Sequence, residues 1–221
     1  NMLQRAVIRL GRHTEDKVSN MYITEVNQEW DLIHPKDLWV YNKLFLSRVL
    51  GYKCGPAGTT VPRPDFYIVR PSLNLLGMGR YARIIKIENE TDDLHPSEFW
   101  CQLFKGDHIS VDFCNKKPEL VVMGERHHDN PLYKWFKWSK IDKKVEFPSI
   151  LEDLAGDYEW INCEFIGDKL IEVHFRRNPD FRHGNSVAIP LWKGEKVQDL
   201  PDYEYIEDSD YLRQGFYIDK G

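Results

Sequence analysis

The sequence predicts an α+β fold made of antiparallel hairpins with few helices. One amphipathic helical pattern, residues 36–50, precedes a long stretch of β-branched and aromatic runs. Two glycine–aspartate pairs, Gly106-Asp107 and Gly167-Asp168, lie between neighbouring runs. Glycine enters the left-handed region without a Cβ clash, so such pairs mark tight turns between antiparallel strands.

Taken in order, residues 2–33 mix short apolar runs such as Ala6-Val7-Ile8 with polar stretches, which reads as weak strand. Asn1 ahead of Met2 reads as a remnant of expression, with Met2 the native start. From Lys36 to Leu50, the residues Leu38, Tyr41, Phe45 and Val49 recur at helical spacing, and Gly51 supplies the stop. Gly55-Pro56-Ala57-Gly58, with Pro62 and Pro64 beyond, reads as loop. Strands are then expected at Phe66–Arg70, Tyr81–Ile87, Glu98–Phe104, His108–Cys114 and Leu120–Met123. Gly106-Asp107 would turn a hairpin between the third and fourth of these. A short helix is expected near 150–154, followed by a hairpin of Tyr158–Ile166 with Lys169–Phe175 turned by Gly167-Asp168. The tail from Gln198 carries Asp199, Asp202, Glu204, Glu207, Asp208 and Asp210 among aromatics; its expected role is loose packing or partner contact.

Composition narrows the function. The chain has 221 residues, 42% hydrophobic and 13% aromatic, which suffices for a packed core and argues against global disorder. Thirty basic and 35 acidic side chains give a formal charge of −5. That balance disfavours a protein coating nucleic acid or an anionic membrane. No apolar run reaches membrane-spanning length. Cys54, Cys101, Cys114 and Cys163 lack metal-ligand spacing, and three lie in apolar runs, as reduced, buried thiols of a cytoplasmic protein do.

Four segments carry chemistry-bearing residues. They are a helix with Lys43, a strand ending at Arg70 before a loop with Gly77 and Gly79, the segment Phe99–Asp112, and a hairpin with Glu164, Glu172, His174 and Arg176. Phosphate groups need cations on a fixed scaffold, and glycines let backbone N–H groups approach them. Mg²⁺ takes one or two carboxylates together with phosphate oxygens. Alternation along a strand puts Glu172, His174 and Arg176 on one side, and Glu164 on the partner strand can join that face. An arginine there can stabilise charge on a transferring phosphoryl group or an oxyanion.

In this order the segments resemble the ATP-grasp superfamily. Val40-Tyr41-Asn42-Lys43 through Gly51 and Pro56 resembles its helix opening with an Asp-Lys pair. Phe66-Tyr67-Ile68-Val69-Arg70-Pro71 resembles its phosphate-contacting strand, with Arg70 where lysine is usual. Leu75-Leu76-Gly77-Met78-Gly79-Arg80 stands at the glycine-rich flap, and Phe99–Asp112 at the hinge and hairpin that hold adenine and ribose. Cys163-Glu164-Phe165 with Leu170–Arg176 resembles the metal-binding hairpin, with His174 where Asn is usual. The resemblance spans roughly 36–190.

It implies two α/β subdomains with antiparallel sheets clamping ATP. The implied partition is an N-terminal segment 2–35, remnant of a preceding α/β domain, a helix and small subdomain 36–105, and a C-terminal subdomain 106–221 with the acidic tail. It implies an ATP- and Mg²⁺-dependent ligase that activates a small-molecule or peptide carboxylate as an acylphosphate for attack by an amine. Lys43, Arg70, Gly77, Gly79 and Arg80 would contact phosphates, and Gln102, Leu103 and Phe104 would line the adenine site. Glu164, Glu172 and His174 would hold the metal, with His174 and Arg176 assisting catalysis. A second copy or a partner protein would complete the missing N-terminal part.

Other readings stand beside these. Lys43 could be a solvated helix position, Gly77 and Gly79 an ordinary turn, and Glu172, His174 and Arg176 the outer face of an edge strand. Asp112 reads as a strand-end residue. Tyr133-Lys134-Trp135-Phe136-Lys137-Trp138 with Lys140, Lys143 and Lys144 fits single-stranded nucleic acid, or an amphipathic strand with snorkelling lysines. The same site could serve a kinase, or a non-catalytic module binding nucleotide or nucleic acid.

Overall fold

The computed structural model describes residues 33–73, 79–209 and 212–220. The strands expected within 2–32, residues Leu75 to Met78 including Gly77, and Asp210 lie outside them.

A 3-10 helix, Pro35–Tyr41, leads into helix α1, Lys43–Val49. The single helix expected over 36–50 is therefore broken at Asn42, whose backbone is extended (φ −84°, ψ 96°). Its side chain accepts a hydrogen bond from Phe45 N and caps α1, as Asn does at a helix start. The break reorients the apolar stripe. Tyr41 is buried, Phe45 and Val49 are exposed, and α1 instead buries Lys43, Leu46 and Ser47.

Twelve strands follow among the described residues. A small antiparallel sheet contains β1 (Cys54–Pro56), β2 (Asp65–Pro71), β3 (Arg83–Ile87) and β4 (Glu98–Gln102), in the order β1-β4-β2-β3. The remaining eight are β5 (His108–Cys114), β6 (Lys117–Glu125), β7 (Lys137–Lys140), β8 (Trp160–Ile166), β9 (Lys169–His174), β10 (Val187–Trp192), β11 (Tyr203–Glu207) and β12 (Arg213–Asp219). They form one sheet in the order β11-β12-β10-β7-β6-β5-β8-β9, every pairing antiparallel. The α+β class is as expected.

Two expectations are corrected. Gly106 does not turn a hairpin, because β4 and β5 belong to different sheets and Gly106 lies in the crossing between them. Its φ is +124°, and a Cβ there would meet Gly167 Cα at 2.7 Å, so the crossing lies directly against the β8–β9 turn. The tail does not pack loosely. It forms β11 and β12, and Phe216, Tyr217 and Ile218 are buried.

The main core lies on one face of the large sheet. Ile109, Val111 and Phe113 of β5, Ile161, Cys163 and Phe165 of β8, and Val173 of β9 pack against Val40, Tyr41, Leu46, Leu151 and Leu154. Burying such side chains contributes about 1.5–3 kcal/mol each before entropy is counted. A second cluster, Tyr67, Val69, Ile87, Leu94 and Trp100, holds one face of the small sheet. The alternation that gives β5, β8 and β9 their apolar face turns a polar set to the other side.

Candidate functional site

That polar set follows from register. Ser110 pairs with Glu164, Asp112 with Asn162, Asn162 with His174, and Glu164 with Glu172. Directly opposed residues share a face, so Ser110, Asp112, Asn162, Glu164, Glu172 and His174 line one side of three adjacent strands. All but Glu164 are buried. Glu172 and His174 are therefore not the solvated outer face of an edge strand.

Lys43 reaches this face from α1, which packs against β9. Its Nζ lies 2.8 Å from Glu172 Oε2, and His174 Nε2 lies 3.3 Å from Glu172 Oε1. Lys43 is thus no solvated helix position. Burial pushes the Glu172 carboxyl up, but the Lys43 charge and the His174 contact outweigh it and hold the group well below the usual carboxylate range. Burial lowers Lys43, Glu172 opposes this, and the nearby Arg70 charge adds to the lowering. A buried ion needs a partner, and here each supplies the other.

Arg70 joins from the small sheet. Its Nη2 donates to Ile171 O of β9 at 3.2 Å, its guanidinium lies over the Phe99 ring at 5.3 Å, and its buried Nε has no hydrogen-bond partner among the described residues. Lys43 N also donates to Ser72 O just past β2. Lys43, Arg70, Glu164, Glu172 and His174 are therefore brought together where the two sheets meet.

Glu164 is the more open carboxylate, its side chain 27% exposed, and its Oε2 lies 2.9 Å from His108 Nε2. The His108 ring stands edge-on to Trp135 (4.7 Å) and Trp138 (5.5 Å). The aromatic–cation run expected over 133–138 is largely engaged internally. Lys134 pairs with Glu195, Lys137 pairs with Glu125, and Trp135 packs on Trp138.

The other expected residues lie around this centre. Gln102 ends β4, and its Oε1 accepts from Lys53 N; Phe104 packs edge-on to Tyr52, and Leu103 is exposed. Of the segment expected to be a flap, the described residues are Gly79 (φ +62°) and Arg80, whose guanidinium lies over Tyr81. Arg176 follows the end of β9 and belongs to a neighbouring group. Burial lowers its pKa, Asp180 opposes this, and Arg182 and Arg213 add to the lowering. Arg213 bridges Asp180 and Asp208, each at 2.6 Å.

Three residues escaped sequence reasoning as site members: His108, Asn162 and Asp112. Asp112 is no strand-end residue. It accepts from Asn162 Nδ2 (2.8 Å), and both its oxygens accept from Asn178 N (2.9 Å). Burial raises its pKa, which these hydrogen bonds oppose. The signal was available, since a carboxylate inside an apolar strand requires partners. Among the described residues, no group of three or more His, Cys, Asp or Glu is arranged to hold a metal ion. Among them, too, no helix is long and apolar enough to cross a membrane.

No protein-family model matches the chain, and no curated protein matches it. Solved structures do. An ATP-grasp superfamily protein from Archaeoglobus fulgidus is 12% identical with a TM-score of 0.49, over 83% of this chain and 65% of that one. The ATP-grasp ligase PsnB, complexed with a minimal precursor, is 12% identical with a TM-score of 0.42, over 65% of this chain and 53% of that one. An L-amino acid ligase from Bacillus licheniformis is 9% identical with a TM-score of 0.38, over 65% of this chain and 42% of that one. This chain spans less than two thirds of the length of each. The first two are described as ATP-grasp proteins, and it is to their fold that this chain is similar.

Proposed function

We propose that the chain is an ATP- and Mg²⁺-dependent ligase of ATP-grasp type, activating a carboxylate as an acylphosphate for attack by an amine. The observation that carries this reading is the convergence of Lys43 and Arg70 with Glu172 at the junction of the two sheets. Two cations and a carboxylate with little access to water interact strongly, because the effective dielectric there is low. Such a junction suits a polyphosphate and its metal.

In this reading Lys43 and Arg70 hold phosphate oxygens, the unpartnered Nε of Arg70 being one donor. Gly77, Gly79 and Arg80 cover the phosphates, and Gln102, Leu103 and Phe104 line the adenine. The opposed carboxylates Glu164 and Glu172 are hard oxygen donors of the kind Mg²⁺ accepts. His174 contacts Glu172 through Nε2, so it suits the role of orienting that carboxylate better than that of a ligand. Bound magnesium would neutralise charge developing on the transferred phosphoryl group. Arg176, among Arg182 and Arg213, supplies positive potential for the carboxylate substrate or its acylphosphate. Residues 36–105 and 106–221 would be the two halves of the clamp, in the cytoplasm.

A second reading rests on Glu172. It already contacts both Lys43 and His174, so the junction could be a neutralised structural pair in a non-catalytic nucleotide-binding module. Calorimetric titration with a non-hydrolysable ATP analogue, with and without Mg²⁺, tests both. Mg²⁺-dependent binding that is lost in Glu164→Gln, with unchanged circular dichroism, is expected; no binding at millimolar analogue overturns the ATP reading. Hydroxylamine then separates chemistries, because only an acylphosphate yields a hydroxamate with ADP. ADP release without hydroxamate means a kinase, and binding without turnover means the module.

A further inference from the structure

Strands β1 and β4 place Cys54 directly opposite Cys101. The ladder fixes which kind of pair this is. Gln102 N donates to Lys53 O, and Ala57 N donates to Glu98 O. Hydrogen-bonded and non-hydrogen-bonded pairs alternate along an antiparallel ladder. Bonds at Lys53/Gln102 and Ala57/Glu98 therefore make Cys54/Cys101 a non-hydrogen-bonded pair. In such a pair Cα atoms lie about 4.5 Å apart with their side chains close on one face. A disulfide spans Cα separations of roughly 4.4–6.8 Å, so a pair of this kind lies within its reach.

The surroundings give the two thiols different tasks. Cys54 is partly exposed, while Cys101 is 1% exposed beneath it. Burial raises the Cys54 pKa, and the nearby Arg48 and Arg70 charges oppose this by favouring the thiolate. Cys101 is pushed up to about 11, chiefly by burial. The remaining cysteines have no such neighbour. Cys114 stands opposite Lys117 and Trp160, and Cys163 opposite Val111 and Val173.

We propose that Cys54 and Cys101 form a redox-active dithiol that closes into a cross-strand disulfide on reaction with a low-molecular-weight disulfide. The Cys54 thiolate attacks one sulfur of that disulfide, forming a mixed disulfide and expelling one thiolate. Cys101, losing its proton, attacks the Cys54 sulfur and expels the second thiolate. Two protein S–H groups are oxidised to one S–S bond, one external disulfide is reduced to two thiols, and the two protons end on the released thiolates. The bond would tie the segment leaving α1 to the strand that ends at Gln102. This inference is independent of whether the chain binds nucleotide.

The test uses the folded chain, incubated with oxidised glutathione, quenched in acid, denatured, alkylated with iodoacetamide and analysed by mass spectrometry. The expected result is the loss of two of the four alkylatable thiols, with a peptide map joining the Cys54 and Cys101 segments and both Cys114 and Cys163 alkylated. Cys101→Ser should stop at a glutathione adduct on Cys54. Should that buried substitution fail to fold, Cys54→Ser must retain all three remaining thiols under the same treatment. Four alkylated thiols in the oxidised wild type, a bond mapped to another pair, or a persistent glutathione adduct on wild-type Cys54 would each overturn the proposal.

Discussion

Replacing Lys43 by methionine removes one member of a buried ion pair and leaves the other in place. Lys43 Nζ and Glu172 Oε2 are 2.8 Å apart, with side chains 6% and 11% exposed. Breaking such a pair from one side costs about 3–5 kcal/mol, because the survivor stays buried without its countercharge. His174 still contacts Glu172, which argues for the lower part of that range. A chain of this length loses roughly 2–4 °C of melting temperature per kcal/mol, so Lys43→Met should melt roughly 6–20 °C below wild type at neutral pH.

The pH dependence gives a sharper test. The folded-state pKa of Glu172 is depressed, so its contribution is present above the ordinary carboxylate range and is lost as pH falls through the folded value. In Lys43→Met, burial acts on Glu172 without the Lys43 charge to oppose it, and the carboxyl protonates at higher pH. The gap between wild type and variant should narrow on acidification. Pairing Lys43→Met with Glu172→Leu should recover stability relative to Lys43→Met alone, since the buried carboxylate is no longer left without its countercharge. Thermal unfolding followed by circular dichroism reads all four proteins. A Lys43→Met protein melting within about 2 °C of wild type, or a gap that widens as pH falls, refutes the reasoning.

Further expectations follow from close contacts. Gly106→Ala combines a φ of +124° with a Cβ 2.7 Å from Gly167 Cα; a loss of about 1–3 kcal/mol is expected in chemical denaturation. Gly124→Ala would put a Cβ 2.8 Å from the Trp135 ring and 2.9 Å from that of Trp138. The loss should be about 1–3 kcal/mol, with a changed tryptophan emission spectrum in the native state. Arg213→Met leaves Asp180 without one buried partner and Asp208 without its 2.6 Å contact. About 3–5 kcal/mol should be lost, and amide exchange should accelerate in β12 before β5.

What the sequence made legible was local. Period-two alternation located β5, β8 and β9, and the even spacing of Glu164 with Asn162 correctly put Glu164 on the face of Glu172. The break at Asn42 was hidden because Leu38, Tyr41, Phe45 and Val49 keep helical spacing straight across it, and only the cap and the bridge to Leu73 reveal it. Gly106-Asp107 looked like a hairpin turn because the same left-handed glycine also serves a crossing between sheets. The acidic tail was misread because its many carboxylates drew attention away from the apolar run Phe216-Tyr217-Ile218, which is buried in β12. β12 is buried along most of its length while β11 is only partly covered, and composition averages the two.

The pairing of Lys43 with Glu172 was the least legible feature, and the reason is physical. Nothing near Lys43 in the chain marks it as buried, since its neighbours on α1 form an ordinary amphipathic pattern. Its environment is set by β9, a strand that lies far along the chain, and by Arg70, which reaches β9 from the other sheet. Among the described residues, only Arg70 joins this cluster from the small sheet, through its bond to Ile171 O. A ligand that competes for Lys43 or Arg70 would act on the contact between the sheets as well as on the side chains it touches.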